Sequence, residues 1–425
     1  FMYGIAFDIG TTTIAAGLVH LKKRNTIAEA SIPNPQARFG NDVISRIEAV
    51  AKTPDALAKM RHAALAACNG LISGFGIDAE KISKITVAGN SVMEHILLGI
   101  SPEPMGRIPF KTAFKEARVL KAKEAGFNAP ENASLYVFPL IGGFVGGDSV
   151  ATALFLKLDQ EKGVTLAIDI GTNSEIMLST RGTHGVPIQR MGRHGSGLLT
   201  TSAASGPAFE GGNISAGMTA TAGAIEDVTI MGDDVKISSI GAAPPVGICG
   251  SGIVSVMAEL LKSKVMDKTG RIKSKGEITT NLSCRIKEGS SGNSFILFKG
   301  AKGEITISQD DVRAFQVAKA AIRAGMEVLF ERAEITPDKV EKVFLAGAFG
   351  SHIKKDSLET VGLFDREWNK KIEVSGDAAL EGAKMALISD ESEKRAEKIA
   401  TEAKYVPLSG SRLFETRFIE NMNFS

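Results

Sequence analysis

Tyr3-Gly-Ile-Ala-Phe-Asp-Ile-Gly-Thr-Thr-Thr13 returns 161 residues later as Val164-Thr-Leu-Ala-Ile-Asp-Ile-Gly-Thr-Asn-Ser174. In each copy a short run of apolar, β-prone residues ends in Asp-Ile-Gly-Thr. A second apolar run follows, over residues 14–19 in the first copy and 175–178 in the second. The pattern predicts strand, tight turn and antiparallel strand, twice. The spacing is too long for a solenoid repeat and suits one structural unit duplicated into two lobes.

Such a turn has a definite chemistry. Glycine at Gly10 and Gly171 permits close backbone approach. The amides and hydroxyls that follow, at Thr11, Thr12, Thr13, Thr172 and Asn173, can then converge on phosphate oxygens. Asp8 and Asp169 would repel phosphate directly, so they call for Mg²⁺ or its waters in between. A single turn of this kind is commonly structural, with the aspartate capping the strand end. Two turns sharing the same buried prefix can clamp a triphosphate from both sides. A third element, Val343-Phe-Leu-Ala-Gly-Ala-Phe-Gly350, reads as a buried strand entering a glycine-rich turn. There Gly347, Ala348, Phe349 and Gly350 would let a base or ribose lie on the backbone. Taken alone it is equally a strand-to-helix connection.

Outward from these motifs, strands and helices alternate. Helical periodicity covers residues 42–51, 54–74, 91–98, 148–156, 253–262 and 390–404, with long helices at 309–333 and 378–388. Short buried strands are expected at 84–88, 135–140 and 342–346, and turns dominate 231–245 and 264–304. The expected fold class is α/β, with two duplicated lobes. At 425 residues, two cores are the natural expectation. The lobes would be residues 1–163 and 164–425, with about the last 25 residues packing back on the first.

Composition narrows the partners. A formal net charge of +2 gives no long-range field for nucleic acid or anionic lipid. No run reaches the roughly 18 apolar residues of a membrane span. Cys68, Cys249 and Cys284 are dispersed and form no CxxC pair, so they cannot hold zinc or an iron–sulfur cluster within one chain. A reducing cytoplasm is the simplest compartment.

In order and spacing, the three motifs resemble the phosphate-1, phosphate-2 and adenosine motifs of the acetate and sugar kinase, Hsp70 and actin (ASKHA) superfamily, which implies a two-lobed, actin-like, ribonuclease H-like fold with a cleft between the duplicated lobes. Other segments resemble one branch closely, the ATP-dependent reductive activators of corrinoid proteins. They are Asn34-Pro-Gln36, Gly40-Asn-Asp-Val-Ile-Ser-Arg-Ile47, Val87-Ala-Gly-Asn-Ser-Val-Met-Glu-His95 and Gly142-Gly-Phe-Val-Gly-Gly-Asp148. Further on come Gly206-Pro-Ala-Phe-Glu-Gly-Gly-Asn-Ile214, Gly247-Ile-Cys-Gly-Ser-Gly252, Phe315-Gln-Val-Ala-Lys-Ala-Ala-Ile322 and Arg417-Phe-Ile-Glu-Asn-Met-Asn-Phe424. The resemblance implies that ATP·Mg²⁺ helps return a corrinoid cobalt stranded as Co(II) to Co(I), so that methyl transfer resumes. It implies a corrinoid protein of a methyltransferase system and an electron-donor protein as partners; a homodimer is left open.

One departure matters. Family members carry an iron–sulfur module, whereas this sequence opens almost directly on the phosphate-1 strand. A [2Fe-2S] cluster is therefore expected in a missing module or a separate donor. The fragment reading is favoured because Phe1-Met2 reads as a cut. Several residues keep two readings. Gly250, Ser251 and Gly252, at a helix N-terminus, suit phosphate or tight helix packing, and so do residues 206–213. Glu210 could position an attacking water or sit on a surface turn. Cys249 fits a buried structural thiol better than a cluster ligand. A small-molecule kinase and a nucleotide-gated binding protein without turnover are the alternative functions on the same fold.

Overall fold

The computed structural model describes residues 2–181, 197–300, 303–347 and 353–424. The chain forms two compact units. The first comprises Phe1–Gly163, Ser179–Thr201 and Asp377–Val406; the second comprises Val164–Leu178, Ser202–Gly376 and Pro407–Ser425.

In chain order the first unit begins with β1 (Tyr3–Ile9), β2 (Thr13–His20), β3 (Asn25–Pro33), α1 (Val43–Lys52) and α2 (Ala56–Gly74). It continues with β4 (Ile82–Gly89), α3 (Ser91–Leu97), β5 (Arg118–Lys121), β6 (Ser134–Val137) and α4 (Gly147–Phe155). Next come β7 (Val164–Ile170), β8 (Ser174–Ser179), β9 (Leu198–Ala203), β10 (Ala224–Met231), β11 (Asp234–Ser239), β12 (Gly247–Ile248) and α5 (Gly250–Lys262). The small sheet β13 (Ile286–Lys287), β14 (Ser294–Gly300) and β15 (Gly303–Ser308) precedes α6 (Gln309–Ala333). The chain ends with β16 (Val340–Gly347), α7 (Lys355–Thr360), β17 (Ile372–Gly376), α8 (Ala378–Ile388), α9 (Asp390–Glu402), β18 (Lys404–Tyr405) and α10 (Arg412–Glu420).

The duplication read from the sequence is visible in strand order. In the first unit the sheet runs β3-β2-β1-β4-β6-β5, with β1 antiparallel to β2 and parallel to β4. In the second, β8, β7, β16 and β17 follow the same order as β2, β1, β4 and β6. The register matches too. Asp8 lies opposite Ala88 and Ile9 opposite Gly89, while Asp169 lies opposite Ala346 and Ile170 opposite Gly347. The echo therefore extends to the third strand: Val87-Ala-Gly89 answers Leu345-Ala-Gly347.

Packing explains the composition of these strands. Successive side chains of β1 alternate between faces. Ile5, Phe7 and Ile9 enter a core with Met60, Leu71, Ile85 and Val87. The other face carries small residues because a helix lies close: a Cβ at Gly4 would come within 2.9 Å of Leu387 in α8. Thr86 Oγ1 donates to the Ala383 carbonyl of the same helix at 2.8 Å, and Gly382 of α8 abuts Ala151 of α4. Asp377, accepting from the Leu380 amide at 2.9 Å, starts α8 and brings residues 377–406 into the first unit. The terminal helix α10 packs on α6 within the second unit, a different placement from the sequence expectation for the last residues. The latch is Phe424, stacked on Phe315 with centroids 6.1 Å apart. Lys319 holds it further by donating to the Asn423 carbonyl at 2.6 Å.

Candidate functional site

The first Asp-Ile-Gly-Thr turn joins β1 to β2 and is closed by the Gly10 amide donating to Thr13 O at 2.9 Å. Its outer carbonyls are held from elsewhere. Asn34 Nδ2 donates to Gly10 O at 2.8 Å, and the Asn34 amide donates to Thr12 O at 2.8 Å. Between them, Arg46 Nη2 donates to Thr11 O at 2.6 Å. Arg46 has no exposed surface, and it also donates to Gly40 O at 3.0 Å and Gln36 Oε1 at 3.3 Å. Gln36 is anchored in turn by donating to Met60 O at 3.1 Å. The Asn34-Pro-Gln36 and Gly40–Ile47 segments thus form the support behind the turn, a role the sequence left undefined.

The second turn joins β7 to β8 and is supported by neutral donors. Ser205 Oγ donates to Gly171 O at 3.1 Å, and the Gly206 amide donates to Thr172 O at 2.8 Å. Thr172 Oγ1 donates to Glu210 Oε2 at 2.5 Å, which brings Glu210 to the turn rather than to a remote surface loop. Asn173 Nδ2 is buried without an acceptor among the described residues. Gly347, with φ +89°, ends β16 beside this turn; a Cβ there would strike Ile170 O and stand 2.5 Å from Asp169 Oδ1. Only glycine lets the strand close against that carboxylate. An orphan donor and a glycine cradle beside a strand-end carboxylate fit phosphate oxygens and their Mg²⁺. Ala348, Phe349 and Gly350 lie outside the described residues.

Gly250, Ser251 and Gly252 open α5 and are buried. Gly252 presses on the Ile225 carbonyl of β10, so its lack of a side chain is used for packing. Cys249, the N-cap residue, is buried and donates its thiol to Ile225 O at 3.3 Å, in keeping with a structural thiol. Gly211 and Gly212 of the 206–213 segment likewise abut Met218 and Pro207.

The first unit also gathers three acids, Glu94, Asp148 and Asp8. Glu94 lies on α3, just after Gly89, and has no exposed surface. Gly147 is pressed against its Oε1, and Gly146 against Gly89 O and the Ser91 amide. This is why the Gly142–Asp148 segment is glycine-rich where it meets residues 87–95. Neither Glu94 oxygen makes a hydrogen bond of ordinary geometry. Burial, then the neighbouring Asp148 carboxylate and to a smaller degree Asp8, hold the Glu94 carboxyl well above the usual range, against an opposing pull from the Gly89 backbone. Burial also raises Asp148 to about 6, although Ser149 partly offsets the shift with an amide bond of 2.6 Å. The signal for this group is an acidic residue set among the apolar Val92, Met93, Ile96 and Leu97 of α3. Its neighbour His95 is a core histidine: Nδ1 faces Ser91 O at 2.7 Å, and Nε2 accepts from the Ala113 amide at 3.0 Å.

Comparison with known proteins gives these features a family. Residues 163–425 match the C-terminal domain of RACo, the ASKHA domain, and residues 3–161 match the RACo middle region. The chain is 33% identical over 434 aligned residues to the corrinoid activation enzyme RamQ of Eubacterium limosum, covering all of this chain and 70% of that protein. It is 24% identical to the [Co(II) methylated amine-specific corrinoid protein] reductase of Methanosarcina barkeri, covering 77% of it. A solved reductive activator for corrinoid, iron–sulfur protein superposes with a TM-score of 0.89 at 33% identity, over all of this chain and 66% of that one. With both halves matched, the chain belongs to the RACo family of reductive activators of corrinoid proteins, and its fold is that of the ASKHA ATPases.

Proposed function

We propose that this chain is the ATP-driven part of a reductive activator that returns a corrinoid protein from Co(II) to Co(I). The observation that carries the reading is likeness along the whole chain, at 33% identity, to a corrinoid activation enzyme. The twin turns in matching register support it. The turn amides and hydroxyls of Thr11, Thr12, Thr13, Thr172 and Asn173 bind phosphate oxygens. Asp8 and Asp169 hold Mg²⁺, directly or through its waters; when bound, the ion neutralises charge on those oxygens. Gly347 and the residues after it receive the adenosine. Glu210, bonded to Thr172 of the second turn, is the carboxylate we assign to orienting a water for slow hydrolysis.

Such a reduction is driven by ATP only if nucleotide state changes the affinity for the cobalt protein. The electron comes from an iron–sulfur donor outside these residues: Cys68 and Cys249 are buried thiols, and Cys284 stands apart from them. Free thiols at all three positions suit the reducing cytoplasm. No described helix is long and apolar enough to cross a membrane. The test is calorimetric titration against corrinoid proteins, with and without ATP, alongside the cobalamin absorption spectrum. Nucleotide-dependent binding is expected, with no Co(I) until an iron–sulfur donor is added. Binding to none of them in any nucleotide state overturns the proposal.

A further inference from the structure

The first phosphate turn has an unusual support. Three consecutive carbonyls, those of Gly10, Thr11 and Thr12, accept hydrogen bonds from Asn34 Nδ2, Arg46 Nη2 and the Asn34 amide at 2.8, 2.6 and 2.8 Å. A trans peptide is planar, so the N–H of each following residue points opposite to the carbonyl before it. Holding these carbonyls backward therefore aims the amides of Thr11, Thr12 and Thr13 forward together. Successive amides converging in this way form an anion-binding concavity.

The support is also charged. Buried cations are ordinarily paired with a carboxylate. Arg46 is fully buried, and the acceptors it meets are Thr11 O, Gly40 O, Gln36 Oε1 and, at 2.9 Å, Met93 Sδ, all uncharged. Asp42 is the acid that favours its charge, but that carboxylate is engaged by the Ser45 amide at 2.8 Å and hydroxyl at 2.7 Å. Burial lowers the guanidinium only to about 10, so it stays charged at neutral pH. Among the described residues, neutral donors hold the second turn's carbonyls: Ser205 Oγ that of Gly171 and the Gly206 amide that of Thr172.

We infer that Asn34 and Arg46 are positioning residues that preset the Thr11–Thr13 amides for phosphate, with Arg46 adding a positive charge, hydrogen-bonded only to uncharged acceptors, behind the first turn. This rests on the nucleotide-binding reading above and assigns the two turns different work. Both turns carry a strand-end carboxylate for Mg²⁺; the first adds a cation behind its carbonyls, whereas the described support of the second is neutral. A turn fixed by these bonds leaves little reorganisation to oppose binding.

The experiment compares Arg46→Lys, Asn34→Ala and Gln36→Ala with the unaltered chain, measuring affinities for ATP, ADP and adenosine by calorimetry. Lysine keeps the charge but cannot span Thr11, Gly40 and Gln36 together. ATP affinity is expected to fall about tenfold or more in Arg46→Lys and Asn34→Ala, and less in Gln36→Ala. Adenosine affinity should hold in all three. Equal ATP affinity in folded variants overturns the inference, as does a parallel loss of ATP and adenosine, which would mark a merely structural role. Where an Arg46 or Asn34 variant does not fold, Gln36→Ala carries the test, since it removes one acceptor from the support and leaves both donors. If the unaltered chain binds no ATP, it is the nucleotide reading itself that fails.

Discussion

At the scale of single residues, acids do different work in the two units. Asp8 and Asp169 close equivalent strands, so Mg·ATP should protect the folded chain by mass action, about 2.7 kcal/mol at a hundredfold excess over Kd. Asp8→Ala and Asp169→Ala are each expected to abolish the Mg²⁺-dependent part of that shift in a thermal melt. Variants that respond like the parent would refute the assignment. Glu94 makes a separate prediction. Its carboxyl is raised by burial and by Asp148 and Asp8. The folded chain therefore keeps this proton to higher pH than the unfolded chain does. The resulting stability is full below the unfolded pKa, about 4.3, and is lost as pH rises through the folded value. Without nucleotide or Mg²⁺, Glu94→Gln should flatten the decline in urea midpoint between pH 5 and 8. An unchanged pH slope would show that Glu94 does not carry the proton.

At the scale of elements, glycines and a terminal latch decide what can pack. Gly347 ends β16 at φ +89°, against Ile170 O and the Asp169 carboxylate. Gly347→Ala should cost roughly 1–3 kcal/mol in stability and weaken nucleotide binding as well. Gly276→Ala has open space and ordinary φ, which makes it the matched control. The latch depends on Phe424, which is 4% exposed and lies over Lys319 Nζ at 5.4 Å. Phe424→Ala is expected to destabilise by about 3 kcal/mol, read as a lower urea midpoint, because it empties the seat against Phe315. No change would mean that α10 docks through its ion pairs to α6, such as Arg417 Nη2 to Glu331 at 3.5 Å, and the helix face alone.

At the scale of the whole molecule, the question is what ATP is spent on. A kinase on this fold would transfer phosphate to a bound small acceptor, whereas an activator needs only water. Incubation with ATP and a panel of sugars, polyols and short carboxylic acids is expected to yield inorganic phosphate and no phosphorylated acceptor, by phosphorus NMR. Phosphorylation of any acceptor well above background hydrolysis would favour the kinase.

How much of this was legible beforehand follows from range. Asp-Ile-Gly-Thr is a local signal, as are the strand on each side, the 25-residue α6 with its Ser308–Asp311 cap and the Asp42 cap of α1. Each is set by neighbours in sequence through backbone geometry and side-chain period. The duplication, the α/β class and the candidate phosphate turns were therefore readable directly from the residues. The third-strand echo at residues 87–89 was not, because strand pairing is non-local and two short apolar runs carry no register until they lie side by side. Nor was the purpose of Asn34, Arg46 or Glu94. Arg46 is 35 residues from the Thr11 carbonyl it holds, and Glu94 owes its raised carboxyl to Asp148 and Asp8, brought near only by folding. Sequence by itself determined which local structures and which chemistry the chain carries. Tertiary structure alone decided which polar groups lose their water together, and desolvation is what turns a buried arginine or glutamate into a support or a proton store.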